Sequence, residues 1–369
     1  MPCRDAARSV EWISTDAELA EAASKWSNVI GIDTEFQRTD TFFPLPGLYQ
    51  IASSEVVYLL DPLAIDNWQP LLERLHDPEV ELVMHACGED LELFNAHLNA
   101  APTGIFDTQL ANAFLSPDFS LSYTNLVERH LGVTLGKPQT RSNWLRRPLS
   151  EEQVRYACED VLYLGELESR LESRLQAAGR LSWFEEAMAG QGVFSQVAPA
   201  DYYRNFTAAW RLDGQALAIL QELVLWRELK ARSEDVPRSR VVRDEHLLAF
   251  AQMPELAERR IEEVLPNSVA RRYGQELLLA HQRGRSAQPV ARLDAPLNRA
   301  QGEASRSARE IARQRAEAAG FAPELLARKR DVEACLRHFC ATGELSDHYL
   351  GWRESLVGDD FRRILGKLT

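Results

Sequence analysis

Short apolar runs alternate with amphipathic segments over the first 165 residues of the chain. Apolar runs with the length of strands occupy residues 29–36, 48–52, 56–60 and 81–87. Apolar positions at helical spacing occupy residues 68–75, 89–98, 106–114 and 122–131. Strands that alternate with helices in this way predict an α/β domain in which helices flank a central mixed sheet.

A further helix is predicted from residue 151 onward, and it has the clearest start in the chain. Ser150 and Gln153 form a capping box, and acidic residues fill the first helical turn. On this helix Tyr156 and Asp160 are four residues apart. They therefore lie on the same face, one turn from each other.

The second half of the chain has a different pattern. Glycine and proline interrupt residues 181–206, which predicts a linker, and residues 207–285 then carry apolar positions at helical spacing. A proline-containing linker at 286–300 precedes a last helical segment at 301–369. We expect an α/β domain plus linker at residues 1–200 and two all-helical domains at 207–285 and 295–369.

Composition and charge narrow the class of protein. The chain has 369 residues, of which 45% are hydrophobic and 26% charged, as in soluble globular proteins. It has no apolar run of 18 residues and no signal-peptide pattern, so we expect no membrane association. Five cysteines without regular spacing fit a reducing cytoplasm.

The net charge of −13 is unevenly distributed. Residues 1–200 hold 14 basic and 30 acidic side chains, whereas residues 201–369 hold 28 and 25. An acidic first half can still act on a polyanion if metal ions neutralise part of the acid and the basic residues are clustered.

Two carboxylates interrupt the first apolar run. Asp33 and Glu35 are two positions apart, so they project from the same face of the predicted strand. Burying two like charges is costly unless a cation lies between them, and hard divalent cations prefer carboxylate oxygens. The run therefore indicates a metal site, although the same spacing also occurs at solvated strand ends.

Three more side chains complete a candidate site. Asp90 lies in the first turn of the helix after strand 81–87, and Tyr156 and Asp160 lie on the capped helix. Taken singly, Asp90 could stabilise the start of its helix and Tyr156 could lie at the edge of the core. The order and context of all these residues together are more specific.

These residues lie in segments that resemble the three motifs of the DEDD 3′→5′ exonucleases. The segments are Gly31–Phe36, His85–Leu91 and Tyr156–Asp160. The third resembles the tyrosine-containing branch, since the sister branch has histidine five residues before the last aspartate, where this chain has Arg155. Within that branch the chain resembles the ribonuclease D family, which usually has aspartate where Asn143 stands.

The resemblance extends into the helical half. Residues Leu220–Lys230 and Val241–Leu247 resemble a helicase-and-RNase-D C-terminal (HRDC) domain, and Phe321–Asp331 resembles a second one. The resemblance thus implies a ribonuclease H-like exonuclease domain followed by two HRDC-like helical domains, which would position RNA.

The resemblance also implies a function, that of a metal-dependent 3′→5′ exoribonuclease releasing nucleoside 5′-monophosphates. Two divalent cations, Mg²⁺ or Mn²⁺, would stabilise the attacking and leaving oxygens. Their ligands would be Asp33, Glu35, Asp90 and Asp160. Tyr156 would orient or deprotonate the attacking water, and an ordinary tyrosine pKa of about 10 favours orientation unless the metal lowers that pKa. We expect a cytoplasmic monomer acting on RNA with a single-stranded 3′ end, the family's expected substrate being tRNA precursors.

Basic residues between Glu128 and Glu151 form a candidate contact for phosphates. No acid occurs within this stretch. It contains Arg129, Lys137, Arg141, Arg146 and Arg147 together with Trp144. We interpret it as a phosphate-binding segment, with a solvated loop as the alternative.

Further substrate contacts are predicted near the acidic motifs. Arg38, Phe42 and Phe43 would supply a phosphate contact and a stacking surface for a terminal base. His85 would contact substrate at the end of its strand. Loop packing for the first three, and a structural hydrogen bond for His85, are the alternatives.

Two rival functions remain at this stage. A 3′→5′ exonuclease acting mainly on DNA would need the same carboxylates, because they do not read the 2′-hydroxyl. A catalytically inactive RNA-binding scaffold would not need acids that repel phosphate.

Overall fold

The computed structural model describes residues 9–136, 142–189 and 197–368. The chain folds into two compact units, each assembled from separate stretches of sequence. The first contains Met1–Gln37, Pro46–Phe194 and Leu297–Thr369, and the second contains Arg38–Leu45 and Ser195–Pro296. Within the described residues, no helix combines the length and apolar character needed to cross a membrane.

A six-stranded mixed sheet forms the centre of the first unit. Its strands are β1 (Ser9–Ile13), β2 (Val29–Gln37), β3 (Leu45–Ser53), β4 (Val56–Leu60), β5 (Glu81–Met84) and β6 (Ile105–Asp107), in the order β1-β4-β3-β2-β5-β6. Strands β3 and β4 are antiparallel, whereas β1 pairs with β4, and β5 with β2 and β6, in parallel. The predicted mixed sheet is confirmed, and the strand with the two acids lies inside it.

Helices surround this sheet. They are α1 (Asp16–Ala23), α2 (Gln69–Leu75), α3 (Gly88–Leu93), α4 (Thr108–Ala113), α5 (Tyr123–Leu131), α6 (Glu151–Leu162), α7 (Leu164–Ala177) and α8 (Leu181–Met188). The predicted start of α6 is confirmed, because the Ser150 hydroxyl accepts from the Gln153 amide and the Gln153 side chain accepts from the Ser150 amide.

Strand β5 is shorter than the apolar run that predicts it. It ends at Met84, because the chain turns at Ala86, whose φ is +56°. The carboxylate of Asp107 holds this turn by accepting from the amides of Ala86 and Cys87, both at 3.1 Å. The turn leads directly into α3, which carries Asp90.

The prediction of a linker from residue 181 is wrong at its start, since Leu181–Met188 forms helix α8. Phe184 is the reason: its ring lies 4.8 Å from that of Phe106 and 6.3 Å from that of Phe114. Burying this aromatic side chain stabilises the short helix.

The last stretch of the chain packs in the first unit. It contains α14 (Arg299–Ala319), α15 (Glu324–Ala327), α16 (Lys329–Thr342) and α17 (Trp352–Leu365). Trp352 stacks on Trp183 at 4.9 Å and lies against Phe114 at 5.5 Å. The amide of Ala322 donates to the carbonyl of Ala113 at 2.8 Å. These helices therefore share a hydrophobic core with the sheet.

The second unit is helical. It contains α9 (Gly214–Ser233), α10 (Arg238–Val241), α11 (Asp244–Ala251), α12 (Glu258–Val264) and α13 (Asn267–Ser286). Arg227 and Glu228 of α9 are fully buried. Glu228 makes a two-pronged ion pair with Arg238, with both distances 2.7 Å.

The loop after β2 belongs to this second unit. Phe42 is buried, and its ring centre lies 4.7 Å from the guanidinium of Arg232 and 4.6 Å from that of Arg238. One carboxylate oxygen of Asp235 accepts from the amides of Phe42 and Phe43, at 2.9 and 3.0 Å. The loop is thus part of the unit's hydrophobic core.

Candidate active site

Three carboxylates from two elements come together at the centre of the first unit. Asp33 and Glu35 project from β2, and Asp160 comes from α6. One oxygen of each lies within 4.8 Å of the others. The predicted sharing of a strand face by Asp33 and Glu35 thus agrees with the geometry.

A glycine allows this approach between strand and helix. A Cβ atom on Gly31 would lie 3.0 Å from Cβ of Leu164 and 3.1 Å from the carbonyl oxygen of Val161. Both are tighter than ordinary contacts, so a larger residue would push α6 and α7 away from β2. The side chain of Asp160 reaches Asp33 because this gap is closed.

Asp90 is buried beside the cluster but turned toward another partner. The hydroxyl of Thr34 donates a hydrogen bond to its carboxylate. Thr34 lies between Asp33 and Glu35 on β2, and successive strand residues point to opposite faces. Asp90 is therefore not among the three carboxylates whose oxygens lie within 4.8 Å of each other.

The four acids strongly disfavour one another's charge. Burial, and then the charge of Asp160, raises the pKa of Asp33 well above its usual range. Burial and then Asp33 do the same for the pKa of Asp90. Burial and the other three carboxylates raise the pKa of Glu35 to about 9. Full ionisation of Asp33, Glu35 and Asp90 at neutral pH is therefore favoured by a nearby cation.

Asp160 has a buried carboxylate oxygen that suits a metal ligand. Burial raises its pKa to about 7, and a hydrogen bond from Tyr156 opposes this effect. Its Oδ2 atom is buried and has no hydrogen-bond partner. Buried polar atoms are rarely left unsatisfied in native proteins. An unpaired oxygen amid hard carboxylate donors fits a divalent cation.

Tyr156 completes the site from the same helix face as Asp160. Burial, and then the charge of Asp160, raises the pKa of its hydroxyl above the ordinary tyrosine value. Its ring lies 6.1 Å from that of Trp144, which is 2% exposed. A Cβ atom on Gly47 would lie 2.6 Å from Cβ of Trp144, so only glycine lets the tryptophan occupy this place. The predicted substrate contact Trp144 is thus a buried neighbour of Tyr156.

Two arginines of the basic segment before α6 form ion pairs within the protein. Arg147 donates to both oxygens of Asp61, so its charge is already neutralised within the protein. Arg129 pairs with Asp118 at 2.7 Å. These two arginines therefore have protein partners where the sequence predicts phosphates. The predicted contacts Lys137 and Arg141 lie outside the described residues.

Asn143, where the resemblance implies an aspartate, keeps a local turn. Its side-chain oxygen accepts from the amide of Leu145 at 3.0 Å. An aspartate would accept the same bond, so the substitution preserves this loop geometry.

His85 is held inside the protein. Its Nδ1 atom lies 2.9 Å from the Thr108 hydroxyl, and its ring packs edge-on against Tyr123 at 5.6 Å. Burial lowers its pKa, which favours the neutral ring. Its Nε2 atom is buried, so a substrate contact by this ring stays a prediction.

The other two predicted substrate contacts belong to the loop of the second unit. Arg38 is exposed at the start of this loop. Phe42 is covered by arginine side chains, as described above. A stacking role for Phe42 stays a prediction, and its ring is not freely exposed to a base.

Sequence reasoning missed three residues that shape the site. Thr34 binds Asp90, and Asp107 holds the turn before α3 while also accepting from the first amides of α4. The Tyr123 hydroxyl accepts from the Tyr163 amide at 3.2 Å, and burial raises its pKa. Asp107 had one available signal, because it lies at the start of a predicted helix, where an N-cap is expected.

Comparisons with known proteins agree with the fold. A 3′-5′ exonuclease family model matches residues 10–176, and an HRDC domain model matches residues 216–280. Ribonuclease D of Pseudomonas paraeruginosa is 38% identical over 365 residues, covering 95% of this chain and 96% of the relative. Ribonuclease D of Escherichia coli is 34% identical, covering 96% and 98%.

Solved structures give the same result. The crystal structure of E. coli RNase D matches with a TM-score of 0.86 and 33% identity, covering 97% of this chain and 99% of that one. The catalytic core of RRP6 from Trypanosoma brucei matches with a TM-score of 0.57 at 20% identity, a likeness of fold alone. The chain belongs to the ribonuclease D family of 3′→5′ exoribonucleases.

Proposed function

We propose that this protein trims RNA 3′ ends one nucleotide at a time, releasing nucleoside 5′-monophosphates, and that tRNA precursors are its substrates. The observation that carries the proposal is the cluster of Asp33, Glu35 and Asp160, whose oxygens lie within 4.8 Å of one another. The related E. coli protein is described as an exoribonuclease involved in structured RNA processing, which supports a folded RNA substrate.

The proposed metal ligands are Asp33, Glu35, Asp90 and Asp160, holding two divalent cations, Mg²⁺ or Mn²⁺. Bound cations supply positive charge to the attacking and leaving oxygens of phosphodiester hydrolysis. The raised pKa values of the carboxylates and the unpaired Oδ2 of Asp160 support this assignment. The Thr34 hydroxyl donates a hydrogen bond that holds Asp90 in its position beside the cluster.

Tyr156 is assigned an orienting role. Its hydroxyl stays protonated at neutral pH, since its pKa is raised above the ordinary value. A protonated hydroxyl can donate to or position a water molecule, but it cannot accept that water's proton as a base. Trp144 fixes the ring of Tyr156 by packing against it.

The proposal extends to the setting of the enzyme. Among the described cysteines, Cys87, Cys335 and Cys340 are free thiols, which fits a reducing cytoplasm. The enzyme is proposed to act as a monomer. Arg38, Phe42, His85, Lys137 and Arg141 remain candidate contacts to the RNA.

The decisive experiment follows single RNA ends. A tRNA carrying a short 3′ extension, labelled at its 5′ end, is incubated with enzyme and Mg²⁺, and the products are sequenced. We expect stepwise loss from the 3′ end with release of 5′-monophosphates. A hairpin with the same tail tests the tRNA preference, and a DNA copy of the tail tests the sugar. Equal or faster trimming of DNA would contradict the ribonuclease assignment, and equal trimming of the hairpin would contradict the tRNA assignment.

A further inference from the structure

A cationic pocket lies among the last helices of the chain. The residues that line it are distant in sequence from the carboxylates described above. It has a volume of about 580 Å³ and lies between α14, α15 and the start of α16. Its cationic lining consists of Arg306, Arg309, Arg313, Arg328 and Lys329. Its acidic lining consists of Glu310 and Glu324.

Part of this charge is neutralised inside the protein. Arg313 pairs with Glu310 at 2.6 Å and with Glu317 at 2.5 Å. Lys329 makes a looser ion pair with Glu333 at 3.8 Å. These ion pairs neutralise Arg313 and Glu310, so neither residue adds to the net charge of the pocket.

Three other arginines of the lining contribute positive charge to the pocket. In the described part of the chain, Arg306, Arg309 and Arg328 form no ion pair within 4.0 Å of a carboxylate. Glu324 is the one lining acid left to oppose them, and it is exposed. The pocket therefore has an excess of positive charge.

Two of these arginines are held by neutral contacts. The Nε atom of Arg309 donates to the carbonyl of Ala327 at 3.2 Å, and this side chain is half-buried. The guanidinium of Arg328 lies over the ring of Phe119, 4.6 Å from its centre. Neutral contacts fix the guanidinium groups without cancelling their charge, so less entropy is lost when an anion binds.

The positive charge of this pocket contrasts with the net charge of the whole chain. The protein carries a net charge of −13, and residues 1–200 hold more than twice as many acidic as basic side chains. A polyanionic substrate is repelled over such a surface. It is expected to rest where guanidinium groups are unpaired, because these bind phosphate through two parallel hydrogen bonds.

We propose that the pocket of Arg306, Arg309 and Arg328 binds backbone phosphates of the RNA substrate at a site separate from the carboxylate cluster. The inference rests on the proposed function in one respect, that the substrate is a structured RNA. Contacts to phosphate position an RNA without reading its sequence. The site therefore acts on folded RNAs generally.

The test is the salt dependence of RNA binding. A hairpin RNA with a single-stranded 3′ tail is titrated in EDTA, which prevents turnover, between 50 and 200 mM KCl by fluorescence anisotropy. The variant Arg306→Ala/Arg328→Ala should bind about tenfold more weakly at low salt, and the slope of log K against log salt should become shallower by about 2, since each phosphate contact contributes about 0.9. An unchanged slope and affinity would overturn the proposal, as expected if the pocket instead binds an acidic protein.

Two controls keep the result interpretable. Arg299→Ala removes a charge from the same helix, but Arg299 is paired with Glu303 and does not line the pocket, so affinity and slope should stay near wild type. Arg306→Ala alone removes an exposed side chain and should reduce the slope by about 1 without a change in thermal unfolding. A slope equal to wild type in this correctly folded variant would also reject the site.

Release of mononucleotides separates this inference from the proposed function. If the wild-type enzyme releases no mononucleotide, the proposed function fails, whereas the salt slope still decides whether the pocket binds RNA.

Discussion

Arg147 and Asp61 form a two-pronged ion pair, with Nη2–Oδ1 and Nε–Oδ2 distances of 2.6 and 2.8 Å. The same guanidinium donates to the carbonyl of Trp144 at 2.8 Å and to that of Gly47 at 2.7 Å. The pair thus fastens the segment before α6 to the sheet at the point where Trp144 packs against Tyr156.

Replacing Arg147 should lower the catalytic rate because it disturbs the position of the segment that packs against Tyr156. Lysine cannot form the planar set of bonds, so Arg147→Lys should lower the free energy of unfolding by about 3 kcal/mol. It should also lower kcat about tenfold while KM for RNA changes less than twofold, because no phosphate contact is lost. Steady-state kinetics and denaturant unfolding measure both effects.

A neighbouring arginine provides the control. Arg146 is exposed, so Arg146→Ala should leave stability unchanged. A raised KM with unchanged kcat in Arg147→Lys would instead support the phosphate contact predicted from the sequence.

Removing one carboxylate should weaken metal binding without lowering the stability of the protein in EDTA. Asp160→Asn removes a charge that raises the pKa of Asp33, so in EDTA its melting temperature should equal or exceed that of wild type. Mg²⁺ at about 100 times its dissociation constant should stabilise wild type by about 2.7 kcal/mol. The variant should gain much less and release no mononucleotide.

Thermal unfolding with and without Mg²⁺ makes this comparison without relying on activity. The same stabilisation by Mg²⁺ in both proteins would exclude Asp160 as a ligand. Asp33→Asn should behave in the same way, since its carboxylate belongs to the same cluster.

Tyr156→Phe tests orientation against general-base catalysis. Loss of an orienting hydroxyl should lower kcat less than about 100-fold, the lower end of general acid–base effects. The pH–rate profile between pH 6 and 9 should keep its shape, because the pKa of the hydroxyl is raised out of this range. Loss of an ionisation from the profile of the variant would show that the tyrosine acts as a base.

Glu81 should make stability depend on pH outside the active site. Burial and the neighbouring Glu168 and Glu172 raise its pKa from 4.5 to about 7. The folded state therefore holds a proton that the unfolded state loses between these pH values, so stability falls as pH rises through this window. Solvent screening limits the loss to about 1–2 kcal/mol.

Glu81→Gln should flatten this dependence, as measured by denaturant unfolding at pH 4.5 and 8. The exposed neighbour Glu79 supplies the control, since Glu79→Gln should retain the wild-type dependence. A slope unchanged by Glu81→Gln would place the titrating group elsewhere.

Local patterns predicted much of the fold because they depend on neighbouring residues. The period-two spacing of Asp33 and Glu35 identified a shared strand face, and the capping box at Ser150 identified the start of α6. The order of the motifs also identified the family. These features need no knowledge of which distant residues meet.

Other features depend on distant contacts and have no local signal. The ion pair of Arg147 and Asp61 joins residues 86 positions apart. Phe184 makes a helix of an expected linker by packing on Phe106. Asp90 accepts a hydrogen bond from Thr34, which lies between Asp33 and Glu35 in the first motif. In each case tertiary packing decides what the side chain does.

The interleaved composition of the two units constrains how the molecule is made. Leu297–Thr369 completes the core around the sheet, while Arg38–Leu45 awaits partners from Ser195–Pro296. On the ribosome, Phe114 and Phe42 therefore stay uncovered until most of the sequence has emerged. We therefore expect the core to be completed only late in synthesis, and an amino-terminal fragment that ends before Leu297 to expose apolar side chains and aggregate.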